Sequence, residues 1–364
     1  MPAPRTRSRA SPPSASPNPT SQSRVARAAP ARPGRTRLRD VAQAAGVSTM
    51  TVVRALREPD KVAAQTLARV RRVIDETRYT PDLLARGLAS SRSGLVAAVI
   101  PLLTNSLIAE IMQGLTDALA PAGYHLLLGV SGFSAAEEEV LVRAFLSRRI
   151  DGIYLTGIVH TDETVRMLER AAIPVVEGGN LTRQPIDMLV GYSNVQAASE
   201  VARYLVKAGY APIGYIGAFP RDNDRARDRR RGYELALARA GRVGDPTLCV
   251  ETALDIDAGA RAMAKLLDRR PKVRAVFCSA DALAVGALFE CQRRGVAVPQ
   301  RVALAGFDDI GIAAQVVPAL TTVRIPRYAI GARAGEMIRN RLEGRPVRRR
   351  LVDTGYELVV RDSA

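Results

Sequence analysis

From Leu95 onward, short apolar runs alternate with segments whose apolar residues recur at helical spacing. Most of the runs have the length of buried strands. They are Leu95–Ile100, His125–Val130, Gly152–Leu155, Val175–Val176, Ile213–Ile216, Ala275–Cys278 and Val302–Gly306. The amphipathic segments lie near Ile108–Ala120, Ala135–Ser147, Thr161–Ala171, Val195–Ala208, Arg229–Ala240, Ala258–Asp268, Ala282–Arg294 and Ile330–Leu342. This alternation predicts doubly wound parallel sheets, and a stretch of roughly 270 residues favours two similar α/β lobes over a single sheet.

The stretch 38–79 predicts a compact helical segment instead. Its apolar spacing favours three helices, Arg39–Ala45, Thr49–Leu56 and Ala64–Thr77. Gly46 supplies a tight turn between the first two helices, and Ser48 supplies an N-cap oxygen for the second. We expect a miniature core built from Val41, Val47, Val52 and Leu56.

Composition sets the N-terminal part of the chain apart. Residues 1–35 are rich in Pro, Ser and Arg and hold almost no large apolar residue, so we expect a disordered basic tail. Such a tail is either simply solvated or adds a weak, sequence-independent contact with phosphates. A headpiece (36–79), a hinge or linker (80–93) and a large body (94–364) follow it.

The net charge points toward a polyanionic partner, and its distribution says which part would meet that partner. The formal net charge is +17 over 364 residues. Residues 1–37 hold eight Arg and no acidic residue, and the first 93 residues carry 12 of the 17 excess charges. The remaining chain is close to neutral for its size, as expected for a body that binds small molecules.

The sequence lacks the residue patterns that are typical of metal sites, of common catalytic sites and of membrane spans. The three cysteines have no CxxC spacing and the two histidines, His125 and His160, are 35 residues apart, so no metal site is expected. We find no GxGxxG or P-loop sequence and no clue to a Ser–His–Asp triad, so an enzyme is not expected. The longest apolar run, Leu95–Leu103, is too short for a membrane span, and no secretory signal is recognisable. We therefore expect a cytoplasmic protein with reduced thiols.

The most informative motif is LRDVAQAAGVSTMTVVRAL, residues 38–56. A small Ala42 where two helices cross, Gly46 four residues later and Val52 six further on are typical of a helix-turn-helix. The second helix would project a face with two arginines and small polar residues, which suits the major groove of DNA. That face comprises Thr49, Met50, Thr51, Arg54 and Arg57. A helical corner that never meets DNA is the alternative, and the basic N-terminal quarter argues against it.

This motif and the following RVRRVIDETRYTPDLLARGLAS resemble the lactose-repressor (LacI) family of bacterial transcription regulators over residues 38–362. Within the family, the chain is most similar to the gluconate-operon repressor type. The segments that carry this closer similarity are STMTVVRALREPDKV, RMLERAAIPVVE, VFCSADALAVGALFECQRRGVAVP and ALTTVRIPRYAIG. The resemblance implies a small all-α helix-turn-helix headpiece and an α/β, two-lobed sensor similar to periplasmic binding proteins, with parallel doubly wound sheets.

On the DNA side, the resemblance implies that Thr49, Met50 and Arg54 read bases, Arg54 through guanine O6 and N7. It implies phosphate contacts from Ser48, Thr51 and Arg57. Val53 stands where the family usually carries Ser, which either removes one phosphate contact or simply adds to the core.

The stretch Thr80–Ser90 resembles the family's hinge helix. In that role Leu88 wedges into the minor groove at the central base step, and packing of Leu88 against the body is the alternative. Asp82 replaces a usual Asn, and Gly87 replaces a larger residue. We expect a hinge that folds less readily without DNA, because glycine disfavours a helix.

The resemblance also implies an effector cleft between two lobes, about 94–191 with 324–350 and about 194–322 with 351–364. Arg229 in RDRRRGY and Asp308 in AGFDD match positions with which the family grips a sugar. The expected cleft residues are Arg229, Asp308, Arg327, Glu177, Asn180 and Asn105. Solvated or turn positions are the alternative for the charged members of this set. Asp281 is expected to cap the helix that follows it.

Two arginines that face one cleft favour an anionic effector, a sugar acid such as gluconate, and no other cofactor is expected. The expected function is a repressor of genes for sugar or sugar-acid catabolism, released from a palindromic operator by the effector. A palindrome requires a twofold-symmetric homodimer. An effector that strengthens DNA binding remains open, and a solute-binding protein without a DNA role is the alternative.

Overall fold

The computed structural model of the protein forms two compact units that divide within the linker. The residues that it describes are 36–79, 92–103, 106–219, 221, 223–242 and 244–364. The predicted tail (1–35) and most of the hinge, including Leu88, lie outside these residues, as does Asn105.

The smaller unit consists of three helices, α1 Leu38–Ala44, α2 Thr49–Arg57 and α3 Ala64–Thr77. Each predicted helix end is correct to within one residue. Gly46 takes a φ of +61° at the turn, a conformation that a side chain would disfavour. The buried apolar residues are Val41, Ala42, Ala45, Val52, Ala55, Val70 and Val73.

Leu56 does not join this core as predicted. It is 39% exposed, whereas Ala55 is buried. Ala55 and Leu56, three and four residues after Val52, lie on either side of the line that Val52 marks along the helix. The core of the three helices includes Ala55 and leaves Leu56 outside. Leu56 therefore adds an apolar group to the outer surface of α2.

The larger unit contains two parallel sheets, which confirms the predicted fold class. The first sheet has the strand order β11-β5-β4-β3-β1-β2, the second β7-β6-β8-β9, and β10 pairs antiparallel with β12. The strands are β1 Leu95–Ile100, β2 His125–Val130, β3 Gly152–Thr156, β4 Val175–Gly178, β5 Met188–Gly191, β6 Ile213–Ala218, β7 Cys249–Thr252, β8 Ala275–Cys278, β9 Ala303–Ala305, β10 Thr322–Arg324, β11 Leu351–Asp353 and β12 Glu357–Val359.

Helices connect these strands and cover the sheets. They are α4 Ser106–Leu119, α5 Ala135–Ser147, α6 Asp162–Ala171, α7 Asn194–Lys207, α8 Asp224–Arg239, α9 Ile256–Arg269, α10 Asp281–Arg293 and α11 Arg327–Leu342. In the part of the chain that the structure describes, no helix is both long and apolar enough to cross a membrane.

The chain passes between the lobes three times. It leaves the first sheet after β5, and α7 packs on α8 and on the strands of the second lobe. It returns after β10, since α11 packs against α4 and the first sheet, and it leaves again after β11.

The second part of the first lobe extends further than predicted. Strand β11, which we assigned to the second lobe, pairs parallel with β5, with Leu351 opposite Leu189. This edge strand has only three residues, none of them fully buried, and so it has no apolar run by which the sequence could reveal it.

Close contact between α4 and α11 holds the returning chain on the first sheet. A Cβ atom at Gly331 would lie 1.8 Å from the carbonyl oxygen of Ile111. One at Gly114 would lie 2.2 Å from the carbonyl oxygen of Tyr328. Only glycine permits these two helices to approach so closely.

Candidate functional site

Helix α2 presents the predicted reading face to solvent. Thr49 and Arg54 are exposed, and Met50 is 67% exposed. Val52 and Ala55 on the other side are buried in the core. The outer face thus offers a guanidinium, a hydroxyl and a thioether, groups that can contact base edges.

The Ser48 hydroxyl caps the N-terminus of α2, as the sequence predicts. The Thr51 backbone N–H donates to Ser48 Oγ at 3.1 Å, and the two side-chain oxygens lie 2.9 Å apart. Ser48 is exposed and Thr51 is half-buried. Phosphate binding by either residue remains a prediction, as it does for Arg57, whose side chain is outside the described part of the structure.

A cavity lies in the larger unit where the carboxyl ends of strands from both sheets meet. Pro101 follows β1, Thr156 ends β3, Ala218 ends β6 and Ser279 follows β8, and all four line it. Parallel α/β sheets bind their ligands at this edge. Further lining residues are Leu102, Leu107, Ile108, Ile111, Phe133, Gly179, Tyr192, Asn223, Arg225, Ala226, Arg229, Leu254, Asp308 and Ile325.

Arg229, on α8, lines the cavity as predicted and is held on every side. Its Nε donates to Asn194 Oδ1 at 2.9 Å, Nη1 to the Ser279 carbonyl at 2.6 Å and Nη2 to the Tyr192 hydroxyl at 2.9 Å. The guanidinium carbon lies 3.8 Å from the ring centre of Phe307, a cation–π contact. These partners fix the plane of the guanidinium before any ligand arrives.

Asp308 is the carboxylate partner of Arg229. Its Oδ1 lies 3.2 Å from Arg229 Nη2, an ion pair that lacks the angles of a hydrogen bond. Burial raises the pKa of Asp308, and the positive charge of Arg229 opposes that rise. Burial also works against the charge of Arg229, but Asp308 and Tyr192 raise its pKa nonetheless. Arg229 and Asp308 thus form a buried pair in which each group influences the protonation of the other.

Arg327 lies at the boundary of the lobes and is not among the residues that line the cavity. It donates to the carbonyl oxygens of Asp308 and, at 2.9 Å, of Asp309. Its Nε binds Glu110 Oε2 at 3.0 Å. The second arginine that we expected in the cleft is thus engaged by a carboxylate and by the second lobe's backbone.

Glu177 does not face the cavity as expected. The backbone N–H of Ile186 donates to its Oε2 at 2.6 Å, and its Oε1 lies 3.4 Å from His160 Nε2. His160 Nδ1 lies 2.5 Å from Glu138 Oε1 on its other side. Burial would lower the pKa of His160, but the two carboxylates outweigh burial and raise the pKa to about 9. Glu177 therefore belongs to a buried Glu–His–Glu cluster.

Asn180 connects the two lobes instead of lining the cavity. Its Nδ2 donates to Asp224 Oδ2 and to Asp228 Oδ2, both at 2.8 Å and both on α8. Its Oδ1 accepts from the Leu181 backbone N–H at 2.9 Å. The amide thus fastens the start of α8 to the loop after β4.

Asp281 is not the helix cap that we expected. Its Oδ1 accepts from the Thr322 hydroxyl at 2.6 Å and its Oδ2 from the Ile310 backbone N–H at 2.9 Å. Burial, together with the neighbouring Asp308, raises the pKa of Asp281 to about 8. The residue thus ties the start of β10 to the loop that holds Ile310.

Arg225 is a cavity residue that the sequence analysis missed. Helix α8 begins at Asp224, five residues before the predicted start, and so Arg225 lies one turn before Arg229 on the same helix. The Asn223 side chain accepts from the Ala226 N–H at 3.2 Å and caps this start. Asn223 is of a residue type that often caps helices, so it could have indicated the true start of α8 from the sequence.

Within the described ranges, no group of three or more His, Cys, Asp and Glu side chains could hold a metal ion.

Two family descriptions match the chain. Residues 37–82 match "Bacterial regulatory proteins, lacI family", and residues 202–364 match "Periplasmic binding protein-like domain". The first match covers the helix-turn-helix and the second covers most of the lobe that carries Arg225 and Arg229.

Whole-length relatives agree with these matches. The chain is 37% identical over 332 residues to the HTH-type transcriptional regulator GntR of Pseudomonas aeruginosa, covering 91% of this chain and 96% of the relative. It is 34% identical over 321 residues to GntR of Escherichia coli, covering 88% and 96%. A crystal structure of a LacI-family transcriptional regulator from Silicibacter pomeroyi superimposes with a TM-score of 0.83 at 32% identity, covering 90% of this chain and 99% of that chain.

Proposed function

This chain belongs to the lacI family of bacterial regulatory proteins and is a DNA-binding repressor with an effector-binding domain, and we propose that its effector is a sugar acid such as gluconate. The genes it represses would serve sugar-acid catabolism. The observation that carries this proposal is a cavity at the carboxyl ends of two parallel sheets with two arginines in its wall. Guanidinium groups bind carboxylates through paired hydrogen bonds.

The proposed mechanism links the cavity to DNA by a two-state equilibrium. Arg229 and Asp308 belong to the second lobe, and the cavity that they line is completed by the first. An effector held by both lobes favours one arrangement of the lobes, and operator affinity falls if DNA prefers the other. Typical couplings of this kind amount to about 1–3 kcal/mol, and DNA must weaken effector binding by the same factor.

The proposal also implies a partner and a setting. Two copies of α2 in one homodimer would read the halves of a palindromic operator. The homodimer would then be located in the cytoplasm, bound to the chromosome. No catalytic activity is part of this proposal, since the relatives are transcriptional regulators.

Fluorescence anisotropy of a labelled duplex tests the proposal. The duplex should come from the region upstream of the gene, carry a near-palindrome with a central CG step, and be titrated at about 150 mM salt with nonspecific competitor DNA. We expect tight binding that gluconate releases. If the duplex binds tightly and gluconate does not change that binding, gluconate is not the effector. If competitor DNA abolishes the binding, the protein does not recognise this sequence specifically.

A pair of variants separates base reading from charge. Arg54→Ala should weaken binding to the operator by about 1–3 kcal/mol while binding to competitor DNA changes little. Arg71→Ala removes the same charge from an exposed position on α3 and should affect both DNAs alike. Equal losses for the two variants on the operator would show that Arg54 supplies charge alone.

A further inference from the structure

Arg225 and Arg229 both line the cavity, but they differ in their hydrogen-bond partners. We propose that Arg225 binds the carboxylate of the effector, while Arg229 and Asp308 form a fixed frame that receives a hydroxyl group. The ligand class is thus a small hydroxycarboxylate. This inference rests on the effector site of the proposed function and names the group that would select an acid over a neutral sugar.

The first step concerns the arginines that are already engaged. Arg229 has protein partners on Nε, Nη1 and Nη2, and the Phe307 ring covers one face. Arg327 is held by Glu110 and by the carbonyl oxygens of Asp308 and Asp309. A carboxylate would have to displace these partners, so neither guanidinium is well placed to donate paired hydrogen bonds to a new anion.

Arg225 has fewer hydrogen-bond partners than Arg229 and Arg327. Among the described residues, its one hydrogen bond runs from Nη1 to Asp224 Oδ1 at 3.0 Å. Asp224 in turn also accepts from Asn180 across the lobes. A guanidinium has five N–H donors, and this one bond leaves most of those of Arg225 available to a ligand. Its side chain is only 13% exposed and it lines the cavity, and a charged hydrogen bond is stronger at such a largely buried position than in open solvent.

Two glycines of the first lobe leave space for the Arg225 side chain. Gly157 has a φ of +108°, and a Cβ there would lie 2.7 Å from Arg225 Nη1. Gly179 has a φ of +87°, and a Cβ there would lie 3.4 Å from Arg225 Cδ. Arg225 belongs to the second lobe and these glycines to the first. A carboxylate on Arg225 would therefore bind where the lobes meet and would favour their closed arrangement.

The hydroxyl end of the ligand follows from Asp308. Its Oδ1 is buried and forms the ion pair with Arg229, but among the described residues no group donates to it with hydrogen-bond geometry. A buried carboxylate oxygen without a donor is costly unless a ligand supplies one. A hydroxyl of the effector would supply that donor while its carboxylate lies on Arg225.

Isothermal titration calorimetry with gluconate, glucuronate and glucose tests the assignment on the full-length protein. We expect the wild type to bind at least one of the two acids and to prefer it over glucose. Arg225→Gln should weaken binding of that acid by about 10- to 100-fold and leave the weak binding of glucose unchanged. Arg225→Lys should recover part of the loss, because it restores charge without the paired donors.

Arg227→Gln is the matched control, since Arg227 is an exposed neighbour on the same helix. It should bind the acid like the wild type, and thermal unfolding followed by circular dichroism should show that all variants are folded. Arg225→Gln that binds the acid within twofold of the wild type, or that loses acid and glucose equally, would overturn the assignment.

The two proposals fail in different ways. A wild type that binds its operator but neither acid overturns the role of Arg225 and leaves the repressor intact. A wild type that binds an acid through Arg225 but keeps its operator in the presence of that acid supports the assignment and contradicts the proposed release.

Discussion

Alkaline pH should weaken the fold through His160. This side chain is 3% exposed and lies between the carboxylates of Glu138 and Glu177. Its pKa is raised from the ordinary value of 6.5 to about 9. At about 1.4 kcal/mol for each pH unit, the charged imidazole stabilises the folded state by about 3 kcal/mol.

The sign follows from linkage. A raised pKa means that the folded protein holds the proton more tightly than the unfolded chain does. The stabilisation is therefore complete below pH 6.5, declines as the pH rises and is lost above about pH 9. Asp281, with a pKa raised by burial to about 8, adds a decline of the same sign, so a variant is needed to isolate His160.

His160→Gln removes the titrating group and keeps some hydrogen-bonding capacity. We expect the variant to be about 3 kcal/mol less stable than the wild type near pH 6, with a difference that shrinks toward zero by about pH 10. Urea unfolding followed by circular dichroism measures this, since the chain has no Trp for fluorescence. His125→Gln is the control, because His125 is exposed and is the other histidine of the chain. A difference that stays constant over this pH range would refute a charged His160.

Three further perturbations test the packing and the site. Gly331→Ala should destabilise the larger unit by on the order of 1–3 kcal/mol in urea unfolding, because the added methyl meets a carbonyl oxygen, whereas Gly244→Ala has open space and should be neutral. Asp308→Asn should cost about 3 kcal/mol in the same assay, because it leaves a buried guanidinium without its counter-charge; a neutral result would mean that the pair is not buried in solution. Val70→Ala should destabilise the headpiece by about 2 kcal/mol and weaken operator binding measured by anisotropy, and the half-buried Val53→Ala should do less.

Much of the fold can be predicted from the sequence because its strands are apolar and its helices are amphipathic. The bounds predicted for β1, β2 and β8 agree with the structure. Strands β5, β7, β10, β11 and β12 were missed: β7 is an edge strand whose exposed Glu251 interrupts its apolar pattern, and β10, β11 and β12 have only three residues each. Short strands are identified by their pairing partners, which a linear pattern does not contain.

The candidate site was harder to predict because partners far along the chain decide where polar side chains turn. Glu177 directly follows the predicted run Val175–Val176 and so was expected in the cleft, yet it lies within β4 and contacts His160 and the Ile186 N–H. The start of α8 was placed late because its first turn is almost entirely charged and shows no apolar periodicity. That error hid Arg225, although its neighbour Arg229 was found.

If Arg225 binds the effector as proposed, the arrangement of α8 would make effector binding and lobe arrangement one equilibrium. The same helix end carries Arg225 in the cavity wall and Asp224 and Asp228, which Asn180 of the first lobe holds at 2.8 Å. Any ligand that moves Arg225 also alters the geometry of those interlobe bonds. A signal from the cavity would therefore need no separate relay to reach the lobe boundary, because the proposed ligand-binding residue and the interlobe contact belong to the same turn of helix.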